Sequence, residues 1–203
     1  PLGSSRYPGG MYREQEIAFT EYNTDFLLSY NRTIGNFTSK VSFGANRMNQ
    51  ITSESKIEGK GISIPGIYNF QNINVTPSLL RNTFKKRINS MYGVMNIGYK
   101  EFLYLDVTGR NDWSSTLPAS NNSYFYPSAS LSFIPTSVFE MNKNINFLKL
   151  RLNAASVGND TEPYRLEKTY NSGSLAGTLT NPSSILNSNL KPEIATSYEV
   201  GVE

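Results

Sequence analysis

Apolar and polar residues alternate along much of this chain with a period of two, the pattern of strands with one apolar face. In "DFLLSYNRT", Phe26, Leu28 and Tyr30 share one face, and Ser29, Asn31 and Thr33 the other. "NFTSKVSFGAN" sets Phe37, Val41, Phe43 and Ala45 against Thr38, Lys40, Ser42 and Asn46. The pair Ile34–Gly35 between these runs predicts a hairpin turn. The alternation returns in "RINSMYGVMNIGY" (87–99), turns at Lys100–Glu101 and continues in "FLYLDVTGR". There Leu103, Leu105 and Val107 oppose Tyr104, Asp106, Thr108 and Arg110. "SYFYPSASLSF" places Phe125, Ala129, Leu131 and Phe133 against Tyr126, Ser128, Ser130 and Ser132. "FLKLRLNAAS" places Leu148, Leu150, Leu152 and Ala154 against Lys149, Arg151 and Asn153. "SYEVGVE" places Tyr198, Val200 and Val202 against Ser197, Glu199 and Glu203.

The alternation lapses over 47–86, 111–122 and 157–193, which predicts three long loops, with a short helical piece around Ser78–Arg81. Short turns and long loops therefore alternate, and the predicted strands run about 9–13 residues, longer than the strands of most soluble sheets. Tyr99, Phe102, Tyr124 and Tyr126 fall near strand ends, where an interfacial girdle of a membrane barrel is built. The expected fold is all-β: an antiparallel transmembrane β-barrel segment with long extracellular loops and short periplasmic turns. A large soluble antiparallel β domain shares the alternation and stays open as the other reading.

Composition narrows the chemistry. Hydrophobic residues are 38% of 203, and the mean hydropathy is −0.40. The longest apolar runs fall far short of the roughly 18–20 residues of a membrane helix, an objection that does not touch a barrel. Charge is close to balanced, with 19 Lys and Arg against 16 Asp and Glu. The basic run "FKKR" (84–87) is too short to argue for nucleic acid as a partner. The chain has no Cys and no His, so disulfides, thiol chemistry, the commonest general base and the commonest metal ligand are all missing. No nucleophile elbow, P-loop or dinucleotide fingerprint occurs. No enzyme, cofactor or metal site is expected.

The candidate binding residues are Tyr104, Asp106, Arg110 and Trp113. Asp106 and Arg110 lie four apart on one polar face, where they read either as a solute site in a lumen or, more simply, as an ion pair in the wall. In "GRNDW", Arg110, Asp112 and Trp113 suit a sugar, but Trp113 reads better as an interface anchor, with Asn111–Asp112 opening a loop. "GND" (158–160) and nearby Glu162 offer too few oxygens at the wrong spacing for calcium and read as a turn. The sequons "NRT", "NFT" and "NVT" are short enough to recur by chance.

Three ordered blocks carry a more specific resemblance. "LYLDVTGRNDWSSTLPASNNSYFYPSASLSFI", "LKLRLNAASVGNDTEPY" and "NSNLKPEIATSYEVGVE", preceded by "IPGIYNF" and "SMYGVMNIGYKEFLYL", resemble the SusC/RagA-type TonB-dependent outer-membrane transporters over most of 60–203. The resemblance implies a barrel of about 22 strands around an N-terminal plug. It implies import of large polar nutrients, oligosaccharides or oligopeptides, across the outer membrane of a Gram-negative bacterium. Its implied partners are a SusD-like surface lipoprotein acting as a lid, the TonB system that supplies energy, and outer-membrane lipid.

This chain shows neither plug nor TonB-contacting segment, and "TSYEVGVE" reads as a strand in mid-course. The expectation is that 1–203 are part of the barrel domain of a larger transporter, about eight or nine strands of it. "PLGSS" (1–5) reads equally as a cloning scar or a native loop. The rival function is a β-rich surface domain that binds glycans without transporting them. Nothing in the sequence separates sugar from peptide.

Overall fold

The computed structural model describes residues 3–4, 7–142, 145–166, 169–172, 177–181 and 186–203. In chain order its strands are β1 (Gly3–Ser4), β2 (Tyr7–Pro8), β3 (Met11–Ile34), β4 (Phe37–Lys60), β5 (Ser78–Tyr99), β6 (Leu103–Ser114), β7 (Ser123–Phe133), β8 (Leu150–Asn159), β9 (Asn171–Ser172), β10 (Leu179–Thr180) and β11 (Glu193–Val202). β1 with β2, and β9 with β10, form two-residue antiparallel ladders. The other seven form one sheet in the order β11-β8-β7-β6-β5-β4-β3, an up-and-down meander with β3 and β11 as its edges. Seven strands, not eight or nine, make the wall among the described residues. No described helix is long and apolar enough to cross a membrane.

The first three strands of the sheet are far longer than the alternation predicts. β3 and β4 have 24 residues each and β5 has 22, about twice the 9–11 that a tilted strand needs to cross hydrocarbon. The loop expected over 47–86 shrinks to 61–77, and the helical piece expected at Ser78–Arg81 is the start of β5. The reason is chemical. Ladder hydrogen bonds need only backbone, so a strand with two polar faces leaves no period-two trace. Polar pairs replace it here: Arg13 Nη2 to Glu58 at 2.9 Å, Gln15 Nε2 to Glu54 at 2.7 Å and Gln50 Nε2 to Glu21 at 3.3 Å.

The chain divides into two compact units, Pro1–Glu21 with Gln50–Lys85, and Tyr22–Asn49 with Lys86–Glu203. The first is organised by buried Asn72, whose amide donates to the carbonyls of Ile64 and Ile67 at 2.8 Å each and accepts from Ile64 N–H at 3.0 Å. Tyr12 and Phe70 pack with ring centroids 4.9 Å apart. The second unit carries the two-faced wall and the site described below.

Both predicted tight turns form, one of them shifted by a residue. Ile34 stays in β3 and the turn is Gly35–Asn36, with Gly35 at φ +57°. A Cβ there would meet nothing within 4 Å, so glycine is favoured by backbone angle rather than by space. At the second turn Lys100 (φ 47°) and Glu101 (φ 60°) both sit in the left-handed region, the pattern whose twist matches a hairpin. The two turns touch, Lys100 N–H donating to Asn36 O at 2.9 Å. The β7–β8 connection, 134–149, lies at the same end, since Ile134 N–H donates to Phe102 O at 2.8 Å. It is longer than the β6–β7 loop (115–122) at the opposite end, so the expected rule of short turns at one end and long loops at the other fails here.

Register produces two faces that run unbroken across five strands. Residues directly opposite in an antiparallel pair share a face. Ile97, Leu105, Leu131, Leu152 and Val200 are mutually opposite along β5, β6, β7, β8 and β11, as are Tyr99, Leu103, Phe133, Leu150 and Val202. One residue along, the opposite face has the row Asn96, Asp106, Ser130, Asn153 and Glu199. That row is stitched by Asn96 Nδ2 to Asp106 at 2.5 Å, Ser130 Oγ to Asn153 at 2.6 Å and Asn153 Nδ2 to Glu199 at 3.2 Å.

Burial is inverted relative to a water-soluble core. Among the described residues the buried apolar side chains are Ile62, Leu117, Tyr124 and Pro135, against six polar ones, while Leu152 and Val200 are exposed. A continuous apolar face left bare would associate in water, whereas lipid solvates it.

Candidate functional site

The polar face near the loop ends of β5, β6 and β7 holds a connected cluster. Arg110 and Asp112 are two apart on β6, on one face and within side-chain reach. Arg110 Nε donates to Asp112 Oδ1 at 2.7 Å, and Arg110 Nη2 to Ser90 Oγ at 2.9 Å. Tyr126 donates its hydroxyl to Asp112 Oδ2 at 2.7 Å. Both Asp112 oxygens are thus occupied, and Asp112 and Ser90 are buried. The Asp112 charge is held within the wall by these partners, while the Arg110 side chain stays 39% exposed.

A second carboxylate anchors the loops. Asp160, just past β8, pairs with Lys86 Nζ at 2.5 Å, and its other oxygen accepts from the Ser114 hydroxyl and from Thr116 Oγ1 at 3.1 Å. The Asp160 side chain is only 3% exposed. It ties the start of the segment between β8 and β11 to the 115–122 loop. At the far end of that segment Asn121 Nδ2 donates to Asn189 Oδ1 at 2.9 Å and to Leu190 O at 3.1 Å. The 115–122 loop therefore fastens both ends of the connection that follows β8. The turn expected at "GND" is corrected: Gly158 and Asn159 belong to β8 and pair with Ile194 and Glu193, while Asp160 is used in this lock and Glu162 pairs with Arg165.

The four sequence candidates do not form one site. Arg110 borders a polar hollow of about 530 Å³ together with Asp25, Asn46, Tyr92, Thr108 and Tyr126. Tyr104 and Asp106 border a separate polar hollow of about 280 Å³ nearer the turns, with Lys40 and Asn96. Trp113 lies on the apolar face, beside Phe26, Ala45 and Met91. The Asp106–Arg110 pair is corrected: four strand residues span about 13 Å, too far for contact, so Arg110 takes Asp112 and Asp106 takes Asn96.

The aromatic girdle is also redistributed. At the turn end Phe37, Tyr99, Phe102 and Phe133 form a string, with centroids 4.6, 5.5 and 6.0 Å apart. Tyr124 and Tyr126 do not belong to a girdle. They stack on the polar face at 6.0 Å and 22°, and cover Gly158. Because it ended the strand at Arg110, the sequence reading gave Asp112 to a loop and left out Ser114; it read Asp160 as part of a turn and did not single out Ser90. Extending the same parity by two residues would have placed Asp112 with Thr108 and Arg110.

These faces give a direct test. In the full-length protein, a cysteine at Leu105 should resist a water-soluble maleimide and react with a lipid-soluble one, and one at Asp106 should show the reverse preference. Water-soluble labelling at Leu105 but not at Asp106 would mean that the faces are reversed.

Comparison with known proteins agrees with this architecture. The chain is 27% identical over 211 residues to "TonB-dependent receptor P26" of Formosa agariphila, covering 96% of this chain and 21% of that protein. It therefore spans about a fifth of the relative's length. The structure of the RagAB peptide transporter superposes with a TM-score of 0.73 at 19% identity, covering 94% of this chain and 22% of that one. The RagAB peptide importer in its "closed-closed" state gives 0.70 at 18% identity, with the same coverage. The shared fold is that of the SusC/RagA-type resemblance seen in the sequence. The family profile described as "TonB dependent receptor-like, beta-barrel" matches residues 3–203, and the chain belongs to that family.

Proposed function

We propose that this chain is barrel wall from an outer-membrane transporter that imports large polar nutrients, oligosaccharides or oligopeptides, using energy from TonB. The carrying observation is the two-faced sheet, with apolar rows on one side and hydrogen-bonded polar rows on the other, in a chain whose family profile covers it almost end to end. The apolar face meets outer-membrane lipid. The polar face lines the lumen or faces a plug supplied by another part of the protein. The loops at 61–77 and 115–122, and the described residues of the connection between β8 and β11, face outside and meet a SusD-like lipoprotein and the substrate. The RagAB names support a peptide cargo for those relatives, and for this chain they support the transporter class.

The mechanism is binding and passage, with no bond made or broken. Two of the wall's charges are paired within it, Arg110 with Asp112 and Lys86 with Asp160. A solute then passes hydroxyl, amide and tyrosine groups, which form many weak and exchangeable hydrogen bonds instead of a few tight ion pairs. Uptake of labelled oligosaccharides and peptides by cells with and without the full-length receptor, in TonB-competent and TonB-deficient backgrounds, tests this reading. Receptor-dependent uptake that also needs TonB is expected. Uptake unchanged by loss of the receptor, or a receptor that stays monodisperse in detergent-free buffer, overturns it.

A further inference from the structure

The β7–β8 connection is the feature that the wall does not absorb. It lies at the turn end and is closed at its neck by Thr136, whose hydroxyl accepts from Leu148 N–H at 3.3 Å. Its backbone is ordered by local hydrogen bonds, Val138 N–H to Pro135 O at 3.0 Å, Phe139 N–H to Pro135 O at 2.9 Å and Ile145 N–H to Asn142 O at 2.8 Å. On this frame Val138, Phe139, Ile145 and Phe147 stand 44%, 58%, 46% and 54% exposed. Three residues of the connection 134–149 are charged, Glu140, Lys143 and Lys149, the last beside its return to the sheet. A connection exposed only to water has no reason to hold four large apolar side chains outward on hydrogen-bonded turns.

The neighbourhood names the occupant. The connection leaves the sheet at Phe133 and returns at Leu150, which are opposite one another on the apolar face. Phe133 is also the last ring of the Phe37–Tyr99–Phe102–Phe133 string at this end. The four exposed residues thus continue, along the chain, the apolar face that the preceding reading gives to lipid. We infer that this connection is a membrane-interface anchor, its Val138, Phe139, Ile145 and Phe147 side chains inserted at the headgroup–acyl boundary of the leaflet on the turn side. The inference rests on the membrane reading and goes beyond it. It assigns lipid to a segment outside the strands, where a partner protein or bulk water is the other possible neighbour. Interfacial elements of this kind bury their apolar side to a depth of about 5–10 Å.

The test uses spin labels on single cysteines at Phe139 and Phe147 in the full-length receptor, with any cysteines elsewhere replaced. The receptor is reconstituted in phosphatidylethanolamine–phosphatidylglycerol vesicles. Labels at Val138 and Ile145 provide a second pair should either variant fail to assemble. Accessibility to oxygen several times that to a water-soluble nickel chelate is expected, at shallower depth than a control label at Leu152. High nickel accessibility overturns the inference in favour of water, and low accessibility to both reagents overturns it in favour of protein. If the Leu152 control itself reads as aqueous, the membrane reading fails first, so the two failures are distinguishable.

Discussion

Replacing Gly158 with valine is expected to destabilise the assembled barrel by about 2–3 kcal/mol, the range of an overpacked site that cannot yield. A Cβ at Gly158 would lie 2.5 Å from Tyr124 Cδ2 and 2.8 Å from Cε2, with Tyr126 Cδ1 at 3.2 Å. Neither ring can easily retreat. Tyr124 is 6% exposed, and Tyr126 is held by its 2.7 Å hydrogen bond to Asp112. Opposing this is the better strand propensity of valine, worth at most about 1 kcal/mol, so the steric term decides the sign. The midpoint of denaturant unfolding of the full-length receptor in detergent measures it. The double variant Gly158→Val with Tyr124→Ala should lose clearly less than the sum of the two single variants, because each removes the other's conflict. Additive losses would sink the account.

The same arrangement recurs on the polar face. A Cβ at Gly44 would lie 2.2 Å from Tyr92 Cζ, and one at Gly98 would lie 2.6 Å from Thr38 Oγ1 and 3.3 Å from the Tyr104 ring. Tyr92 therefore covers a glycine of another strand, as Tyr124 does. At Gly44 the obstruction is the far end of one ring, which can swing aside, so substitution there should cost less than at Gly158. That ordering is a sharper check than either value alone.

The second large effect is expected at Asp160. Asp160→Ala leaves the Lys86 ammonium, 19% exposed, without its carboxylate, and leaves the buried hydroxyls of Ser114 and Thr116 with only each other, at 2.9 Å, so that one of them loses its acceptor. Breaking a buried pair from one side costs roughly 3–5 kcal/mol, and the partial exposure of Lys86 moves the expectation to the lower end, about 3 kcal/mol. Asp160→Asn, which keeps an acceptor oxygen and loses the charge, should cost less. Because the lock fastens the 115–122 loop, backbone hydrogen exchange there should accelerate in Asp160→Ala while the Asn96–Asp106 row keeps its protection. Uniform acceleration across the sheet would show that Asp160 supports the whole wall and does not fasten a loop. No change at all would show that it is not a lock.

How much of this was legible beforehand differs from one element to the next. The bounds of β7, Ser123–Phe133, are those of the alternating run, because one face is apolar and the other is hydroxyl-rich throughout. The faces of Leu105 and Asp106 followed from parity alone. The outer halves of β3, β4 and β5 were invisible, since strands such as "RMNQITSESKIEGK" bear polar residues on both sides. The 134–149 connection escaped notice because nothing in its composition says at which end of the sheet it lies. Among the site candidates, Tyr104, Asp106 and Arg110 were correctly placed on the polar face, but their partners were not, because a hydrogen bond depends on a neighbouring strand.

The sequence by itself determined that this chain is antiparallel β with one apolar and one polar face, because side-chain alternation is a local consequence of the pleat. It also carried the family, through three ordered blocks of residues. Only the tertiary structure decided the rest: that Arg110 answers Asp112 and not Asp106, that Tyr124 and Tyr126 cover a glycine on the polar face, and that Asp160 fastens a loop. Each of these is settled by register between strands many residues apart, and a period-two pattern is the same in every register that keeps its parity.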